Sequence, residues 1–320
     1  MNSISELARL VKAGKAEGIA RAISFVENSN DENGKSMLLE MLRDPKKDAF
    51  ILGITGPPGC GKSTLIGAMV GPLQRNGFKI AVLAVDASSP ISCGAVLGDR
   101  VRMQDALSKY GIYMRSMASR GSTGGLSGAV LDTIAILEAA GFDFIIVETV
   151  GAGQADLDIM NIASVVAVVL APALGDDIQA IKAGLMEIGD IFVMNKSDLL
   201  GRLGTTASTA AEELLLNAAG PGLASSGLGK RVVHTIATSS SEEESGVGEL
   251  VRLVMEHKKA IESLGVNPKK IERMLISLKR EEVSNELNSR IDSVELQMLA
   301  EKVARKEMTP REALKHIKLC

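Results

Sequence analysis

The 320-residue chain contains no tryptophan, two tyrosines and six phenylalanines. Platforms that stack single-stranded nucleic acid are built from aromatic side chains, so this scarcity argues against that class of ligand. Cysteine is rarer still than phenylalanine: Cys60, Cys93 and Cys320 are all there are. Three cysteines cannot form a disulfide framework, and no CxxC pair suggests structural zinc. The histidines, His234, His257 and His316, are too scattered in sequence to nominate a metal site. Charge of one sign is missing as well. Lys plus Arg is 36 against 39 Asp plus Glu, a formal net charge of −3. General nucleic-acid binders and polybasic membrane binders need a cationic excess, so neither partner is expected. Long apolar runs are also absent. The most apolar stretch, 159–174, contains Asn161, Ser164 and Pro172. It falls short of the ~20 apolar residues of a membrane-spanning helix and reads as a buried parallel strand. The start is charged and amphipathic, without the apolar core of a secretory signal. A reduced, cytoplasmic setting is therefore expected.

Glycine is plentiful at 32 residues, and 46% of the chain is hydrophobic. Residues 1–46 read as helices, with Leu7, Leu10 and Val11 on one face, then Ile19, Ala22 and Ile23, then Met37, Leu38, Met41 and Leu42. Asp44-Pro45 ends this region. Next come short apolar runs at 50–55, 79–85, 144–148, 165–170, 191–195 and 232–236. Helical segments lie between most of them, at 63–76, 128–140, 176–187 and 206–218. Strands that alternate with helices imply an α/β fold with a mostly parallel central sheet flanked by helices. After about residue 265 the chain is charged, helical and free of strands. The expected organisation is an N-terminal helical extension (1–46), a nucleotide-binding domain (47–264) and a C-terminal helical arm (265–320) that mediates dimerisation.

Gly56-Pro57-Pro58-Gly59-Cys60-Gly61-Lys62-Ser63-Thr64 fits GxxxxGK[ST], between an apolar strand and a helix. Gly56, Gly59 and Gly61 let the backbone wrap close to phosphate oxygens. The amides of this loop, including those of Cys60 and Thr64, and the helix N-terminus face the anion. Lys62 is placed to reach the β- and γ-phosphates, and the Ser63 hydroxyl to bind Mg²⁺. The fold expected is therefore a P-loop NTPase. Farther on, Asn195-Lys196-Ser197-Asp198 closes a strand as an NKxD motif. A carboxylate at Asp198 can accept from guanine N1–H and N2–H₂. Adenine offers no donor at those positions, so guanine is favoured. The Lys196 stem would lie along the base, and the Ala237 loop would supply an N–H to the base oxygen.

Asp86, Asp99 and Glu148 lie at or near strand ends beside the phosphate loop, where carboxylates hold Mg²⁺ or its waters. Turn formation and helix capping are the structural alternatives. Gly151 offers a backbone N–H near the γ-phosphate, and Gln154 is a candidate for positioning the attacking water. The mixed-charge segment 175–182 is either a solvated helix start or a mobile element that carries Lys182 toward the nucleotide.

Five segments together resemble one family. They are GPPGCGKST at 56–64, VDASSPISCGAVLGDRVRM at 85–103, EAAGFDFIIVETVGAGQADLD at 138–158, GDDIQAIKAGLMEIGDIFVMNKSD at 175–198, and LAEKVARKEMTPREALKHI at 299–317. The chain resembles the MeaB/ArgK family of P-loop GTPases, whose human member is MMAA. The resemblance implies a slow GTPase that uses GTP/GDP and Mg²⁺ and is usually a homodimer. It implies a chaperone that loads and protects an adenosylcobalamin-dependent acyl-CoA mutase of the methylmalonyl-CoA mutase type. By position it assigns Lys62 and Ser63 to phosphate and Mg²⁺, and Asp86, Asp99 and Glu148 to the Mg²⁺ region. It assigns Asn195, Lys196 and Asp198 to guanine. It also links Lys182 to hydrolysis when the mutase is bound, so Lys62, Glu148, Gln154 and Lys182 make up the expected catalytic set. Two other functions are alternatives. One is a GTPase that delivers metal to a metalloenzyme, which would want a Cys/His cluster. The other is an ATP-dependent kinase, against which NKxD argues.

Overall fold

Alternation along the strands dictates how the molecule is layered. In the computed structural model, the described residues are 4–43, 48–86, 107–118, 128–149, 155–172, 183–202, 228–241, 243–265 and 293–316, with short pieces between 272 and 286. Three helices come first: α1 (Ile4–Lys12), α2 (Ala16–Asn28) and α3 (Glu32–Leu42). The strands are β1 (Phe50–Thr55), β2 (Ile80–Asp86), β3 (Tyr113–Ala118), β4 (Phe144–Thr149), β5 (Val165–Leu170), β6 (Ile191–Asn195) and β7 (Arg231–Thr235). Between them lie α4 (Lys62–Arg75), α5 (Gly128–Ala139), α6 (Ala155–Ile162) and α7 (Ala183–Ile188). After β7 come α8 (Val247–Leu264), α9 (Ser293–Ala304) and α10 (Pro310–His316). The expected helix at 206–218 lies outside the described residues.

Among the described residues, the seven strands pair in the order β3-β2-β4-β1-β5-β6-β7, and every pairing is parallel. β4, β5 and β6 are buried along their whole length, because helices cover both faces. Ile80, Val82 and Ala84 of β2 pack into one apolar cluster with α4 and α8. Ala81, Leu83 and Val85 of the same strand pack into another, with α5. That second cluster extends through Val11, Ile23 and Leu38 of the first three helices, so α1–α3 share one apolar core with the sheet face beneath them. Arg115 on β3 reinforces this layer: its Nη2 donates to Glu27 Oε2 at 2.6 Å and to Ser24 Oγ at 3.2 Å, both on α2.

β3 is an addition to the strands expected from sequence. Its run, YMRSMA, is broken by Arg115 and Ser116, and as an edge strand it is only partly buried. At the far end of the chain, a capping box starts α10. The Thr309 N–H donates to Glu312 Oε2 at 2.8 Å, and the Glu312 N–H donates to Thr309 Oγ1 at 3.2 Å. Among the described residues, no helix is long and apolar enough to cross a membrane.

Because all pairings are parallel, the carboxyl ends of the strands lie along one edge of the sheet. From β1 the chain moves first toward β2 and β3, then returns through β4 and continues on the other side with β5, β6 and β7. In open α/β sheets, ligands bind outside the carboxyl ends, at the point where the strand order reverses. Here that point is β1, the strand that leads into the glycine-rich loop.

Candidate functional site

The loop after β1 takes its shape from three glycines with positive φ: Gly56 (142°), Gly59 (75°) and Gly61 (95°). Two of them leave no room for a side chain. A Cβ on Gly56 would sit 2.0 Å from the carbonyl oxygen of Val169 on β5. A Cβ on Gly61 would sit 2.4 Å from Asn195 Nδ2. Gly61 is also the N-cap of α4, left-handed and with no side-chain cap. The first-turn amides of α4 therefore carry no capping side chain, the usual arrangement at an anion-binding helix start.

The charged groups lie inside this frame. Lys62 is 6% exposed, and its ammonium donates to the loop carbonyls of Gly56 (2.7 Å) and Pro57 (3.1 Å). The Ser63 hydroxyl donates to Glu148 Oε1 at 2.6 Å, which bridges from α4 to the end of β4. Glu148 is 7% exposed. One residue farther along β4, Thr149 Oγ1 donates to Thr55 Oγ1 at 2.9 Å. That bond ties the end of β4 to the last residue before the loop. Cys60 is fully buried in the core beneath α4. Burial raises its thiol pKa, more than the nearby Lys62 and Lys196 lower it. At neutral pH the side chain is a protonated apolar filler and not a nucleophile.

β6 delivers the second half of the site. Asn195 ends the strand, 2% exposed, and its Nδ2 donates to the Cys60 carbonyl at 2.9 Å. Its Oδ1 accepts from Thr235 Oγ1 at 3.1 Å and from the Ala237 N–H at 3.2 Å. Lys196 has a left-handed φ of 57°, uncommon for a side-chain-bearing residue, and turns the chain sharply out of the sheet. Its ammonium donates to the Gly59 carbonyl at 2.8 Å. The turn is completed by Ser197 Oγ, which donates to the Met194 carbonyl at 2.7 Å, and by the Leu199 N–H, which donates to the Lys196 carbonyl. Asp198 stands exposed on the following 3₁₀ turn, Ser197–Arg202.

The structure therefore brings together Gly56, Gly59, Cys60, Gly61, Lys62, Ser63, Glu148, Asn195 and Lys196, with Asp198 on the adjoining turn. Thr64 lies in the first turn of α4. Asp86 ends β2 on the same edge of the sheet. Asp99, Gly151, Gln154 and Lys182 lie outside the described residues. The Ala237 N–H, expected at the base oxygen, is instead engaged with Asn195. From sequence the Thr235-Ile236-Ala237 loop is expected to supply only a backbone N–H, and the Thr235 side chain is an addition to the site. Its place in the site comes from the strand register that sets it beside Asn195. As for a divalent cation, Ser63 and Glu148 offer hard oxygen donors next to a phosphate-binding loop. That chemistry fits Mg²⁺, which takes few protein ligands and fills the rest with phosphate oxygens and water.

Comparison with known proteins bears on the family and the fold. The family model described as "Methylmalonyl Co-A mutase-associated GTPase MeaB" matches residues 19–295. The Pyrococcus abyssi protein named "Putative GTPase PYRAB02490" is 38% identical over 314 residues, covering 97% of this chain and 94% of its own. Its Pyrococcus horikoshii counterpart, "Putative GTPase PH0274", is 43% identical over 265 residues, 83% of this chain and 81% of that one. Among solved structures, a LAO/AO transport system kinase superposes with a TM-score of 0.67 at 26% identity, covering 98% of this chain and 95% of the other.

Proposed function

The chain belongs to the MeaB family of P-loop GTPases, and from that membership we propose that it is a mutase-associated chaperone driven by GTP. Family membership makes it a GTPase that binds GTP and GDP. The finer reading is that the nucleotide state controls an adenosylcobalamin-dependent acyl-CoA mutase of the methylmalonyl-CoA mutase type, through its loading with cofactor and its protection. The observation that carries this reading is the match to the mutase-associated family model over residues 19–295.

The site residues have matching roles. Lys62 exchanges the loop carbonyls for phosphate oxygens, and the amides at the start of α4 cradle the same group. Asp198 accepts the guanine N–H groups, with the Lys196 stem alongside the base. Ser63 and Glu148 hold Mg²⁺ or its waters, with Asp86 and Asp99 as further members of that region. When bound, the cation would neutralise charge on the β- and γ-phosphate oxygens. Gly151, Gln154 and Lys182 complete the proposed set: the first near the γ-phosphate, the second positioning water, the third acting when the partner is bound. Intrinsic hydrolysis is slow in this reading, as the family resemblance implies; Arg100, Arg102 and Arg120, the candidates for an arginine finger in cis, lie outside the described residues.

The C-terminal arm is the proposed dimer contact. Leu275, Ile276, Val283 and Met298 expose large apolar side chains after α8, more than a solvated arm needs. Sedimentation of the full chain should give the mass of two copies, and a monomer at micromolar concentration would overturn this part. For the central proposal, purified protein is mixed with cobalamin-dependent mutases in the presence of GDP or a non-hydrolysable GTP analogue. The expected outcome is co-elution with a mutase and GTP turnover raised at least tenfold by that mutase. A guanine-nucleotide-binding protein that neither associates with any such mutase nor responds to it would refute the chaperone role.

A further inference from the structure

We infer that Gly53, in the middle of β1, is a positioning residue for GTP hydrolysis: it seats α6 on the sheet and so sets the place of the segment 150–154, which leads into that helix. This rests on the hydrolytic roles proposed above for Gly151 and Gln154 and adds to them a residue from the body of the sheet. Glycine inside a strand weakens it and marks a place where another part of the chain comes close. Here that part is α6. A Cβ on Gly53 would sit 2.8 Å from both Cγ1 and Cδ1 of Ile159, and 2.9 Å from the Ala163 Cβ. Ile159 is fully buried and Ala163 nearly so, with no open space into which the helix face could yield.

The ties at either end turn this close contact into a lever. Beyond the carboxyl end of α6, the Ser164 N–H donates to the Ile51 carbonyl at 2.7 Å, and the Ile51 N–H donates to Ser164 Oγ at 3.2 Å. That end is fastened to β1. Thr149, just before the segment 150–154, is fastened to Thr55 at the end of the same strand. The amino end of α6, Ala155, follows Gln154 directly. A push at Ile159 therefore pivots the helix about Ser164 and moves Ala155 the most. At 1.5 Å per residue, Ile159 is about 7 Å from that pivot and Ala155 about 13 Å, so a displacement roughly doubles along the helix. Carbon atoms pack at about 3.5–4.0 Å, so a methyl at Gly53 would lift Ile159 by about half an ångström and Ala155 by about 1 Å. A misplacement of about 1 Å can cost about a hundredfold in rate.

Alternation along β1 confines the push to one side of the sheet. The neighbours of Gly53, Leu52 and Ile54, pack in one apolar cluster with Leu65 and Ile66 of α4. Ile159 and Ala163 belong to the cluster on the other face, with Val147 and Val166, the residues in register with Gly53 on β4 and β5. A methyl at Gly53 bears on α6 and not on α4, the helix that carries Lys62 and Ser63. Nucleotide binding should therefore persist while hydrolysis falls. The two contacts also differ in give. Ile159 can swing its terminal methyl aside, but the Ala163 Cβ is fixed to the backbone and must move with the helix.

The test reads single-turnover GTP hydrolysis by the full chain, without a partner, beside equilibrium binding of fluorescently labelled GDP. Gly53→Ala should slow hydrolysis by about tenfold or more and leave GDP affinity within about threefold of wild type. A double-mutant cycle identifies the route: in an Ala163→Gly background, which removes the unyielding Cβ, adding Gly53→Ala should cost less than about threefold in turnover. If Gly53→Ala does not fold, Ile159→Val thins the same contact from the helix side, and turnover should fall by about threefold with GDP affinity unchanged. Wild-type turnover in folded Gly53→Ala overturns the inference, and so, in the fallback, does wild-type turnover in Ile159→Val. Equal losses of turnover and GDP affinity overturn it too, since Gly53 would then be a general structural residue. So does an undiminished loss in the Ala163→Gly background. Gln154→Ala keeps the two readings apart. Wild-type turnover in that variant refutes the water-positioning role given to Gln154, whereas slowed turnover there beside normal turnover in Gly53→Ala overturns the present inference alone.

Discussion

The two halves of the site hold their polar groups in different ways. On the phosphate side, at the ends of β1 and β4, the groups that would meet a ligand rest on partners from their own chain. The Lys62 ammonium lies on two loop carbonyls, and the Ser63 hydroxyl on the Glu148 carboxylate. A phosphate oxygen or a cation offers each of them a replacement of higher charge, and charge-assisted bonds are roughly twice as strong as neutral ones. On the base side, at the ends of β6 and β7, Asn195 bonds to Cys60, Thr235 and Ala237, all of them protein groups. A ligand has nothing to gain by breaking these contacts. In the proposed function, the phosphate side is therefore a set of exchangeable partners, and the base side is a scaffold that holds the loop while they exchange. Only Asp198, exposed on its turn, departs from this division.

The largest effect should come from removing the main exchangeable group. Lys62→Ala deletes a nearly buried cation that would transfer from two neutral carbonyls to phosphate. Truncating one member of a buried charged contact costs about 2–5 kcal/mol, so GTP affinity should fall by at least thirtyfold. Titration with a fluorescent GTP analogue measures this directly. Wild-type affinity would mean that Lys62 stays on Gly56 and Pro57 when ligand binds, and the phosphate side would be as fixed as the base side. Next in size is Asp198→Ala. Leaving two guanine donors without an acceptor should cost about 1–3 kcal/mol. GTP binding should weaken by roughly five- to 150-fold, while weak ATP binding stays the same. Because Asp198 is exposed and outside the core, thermal unfolding of the nucleotide-free protein should not move. Competition between GTP and ATP for the site reads the ratio, and a retained preference for GTP would place base recognition elsewhere.

The difference between the halves also explains what could be read from sequence. Glycine spacing, GK[ST] and NKxD mark where backbone must approach a ligand or where a particular charge is needed, and these leave a fixed signature. The Asn195–Thr235 contact leaves none, because it depends on the register between β6 and β7, which are separated by residues 196–230. β3 was missed for a related reason. A strand buried on both faces announces itself as an apolar run, as 165–170 does. An edge strand with Arg115 turned to Glu27 does not. The first three helices showed their apolar faces clearly, yet periodicity says that a face is buried without saying against what. That Val11, Ile23 and Leu38 share a core with Leu83 and Ile145 comes from the fold alone.

The smallest expected effect sits where the two halves meet. Cys60 contributes its carbonyl to the base-side scaffold and its thiol to the core under α4. Burial raises the thiol pKa above its ordinary 9.0, despite the pull of Lys62. The folded protein therefore keeps this proton longer than the unfolded chain does. In the interval between the two pKa values the native state binds more protons, so stability falls as pH rises through about 9. Tyr113, also raised by burial, acts with the same sign from a higher starting point. Comparing wild type with Cys60→Ala separates the two. At pH 7.5 the variant should be less stable by about 1 kcal/mol, for the lost packing. The gap should narrow by pH 10, because alanine has no proton to lose. In native protein at pH 7.5, the peptide carrying Cys60 should also resist iodoacetamide until urea unfolds the chain. Rapid native-state labelling of Cys60, suppressed by GDP, would show a phosphate loop that opens on its own. In that case the base-side contacts to Cys60 would not be the fixed scaffold on which the contrast between the halves rests.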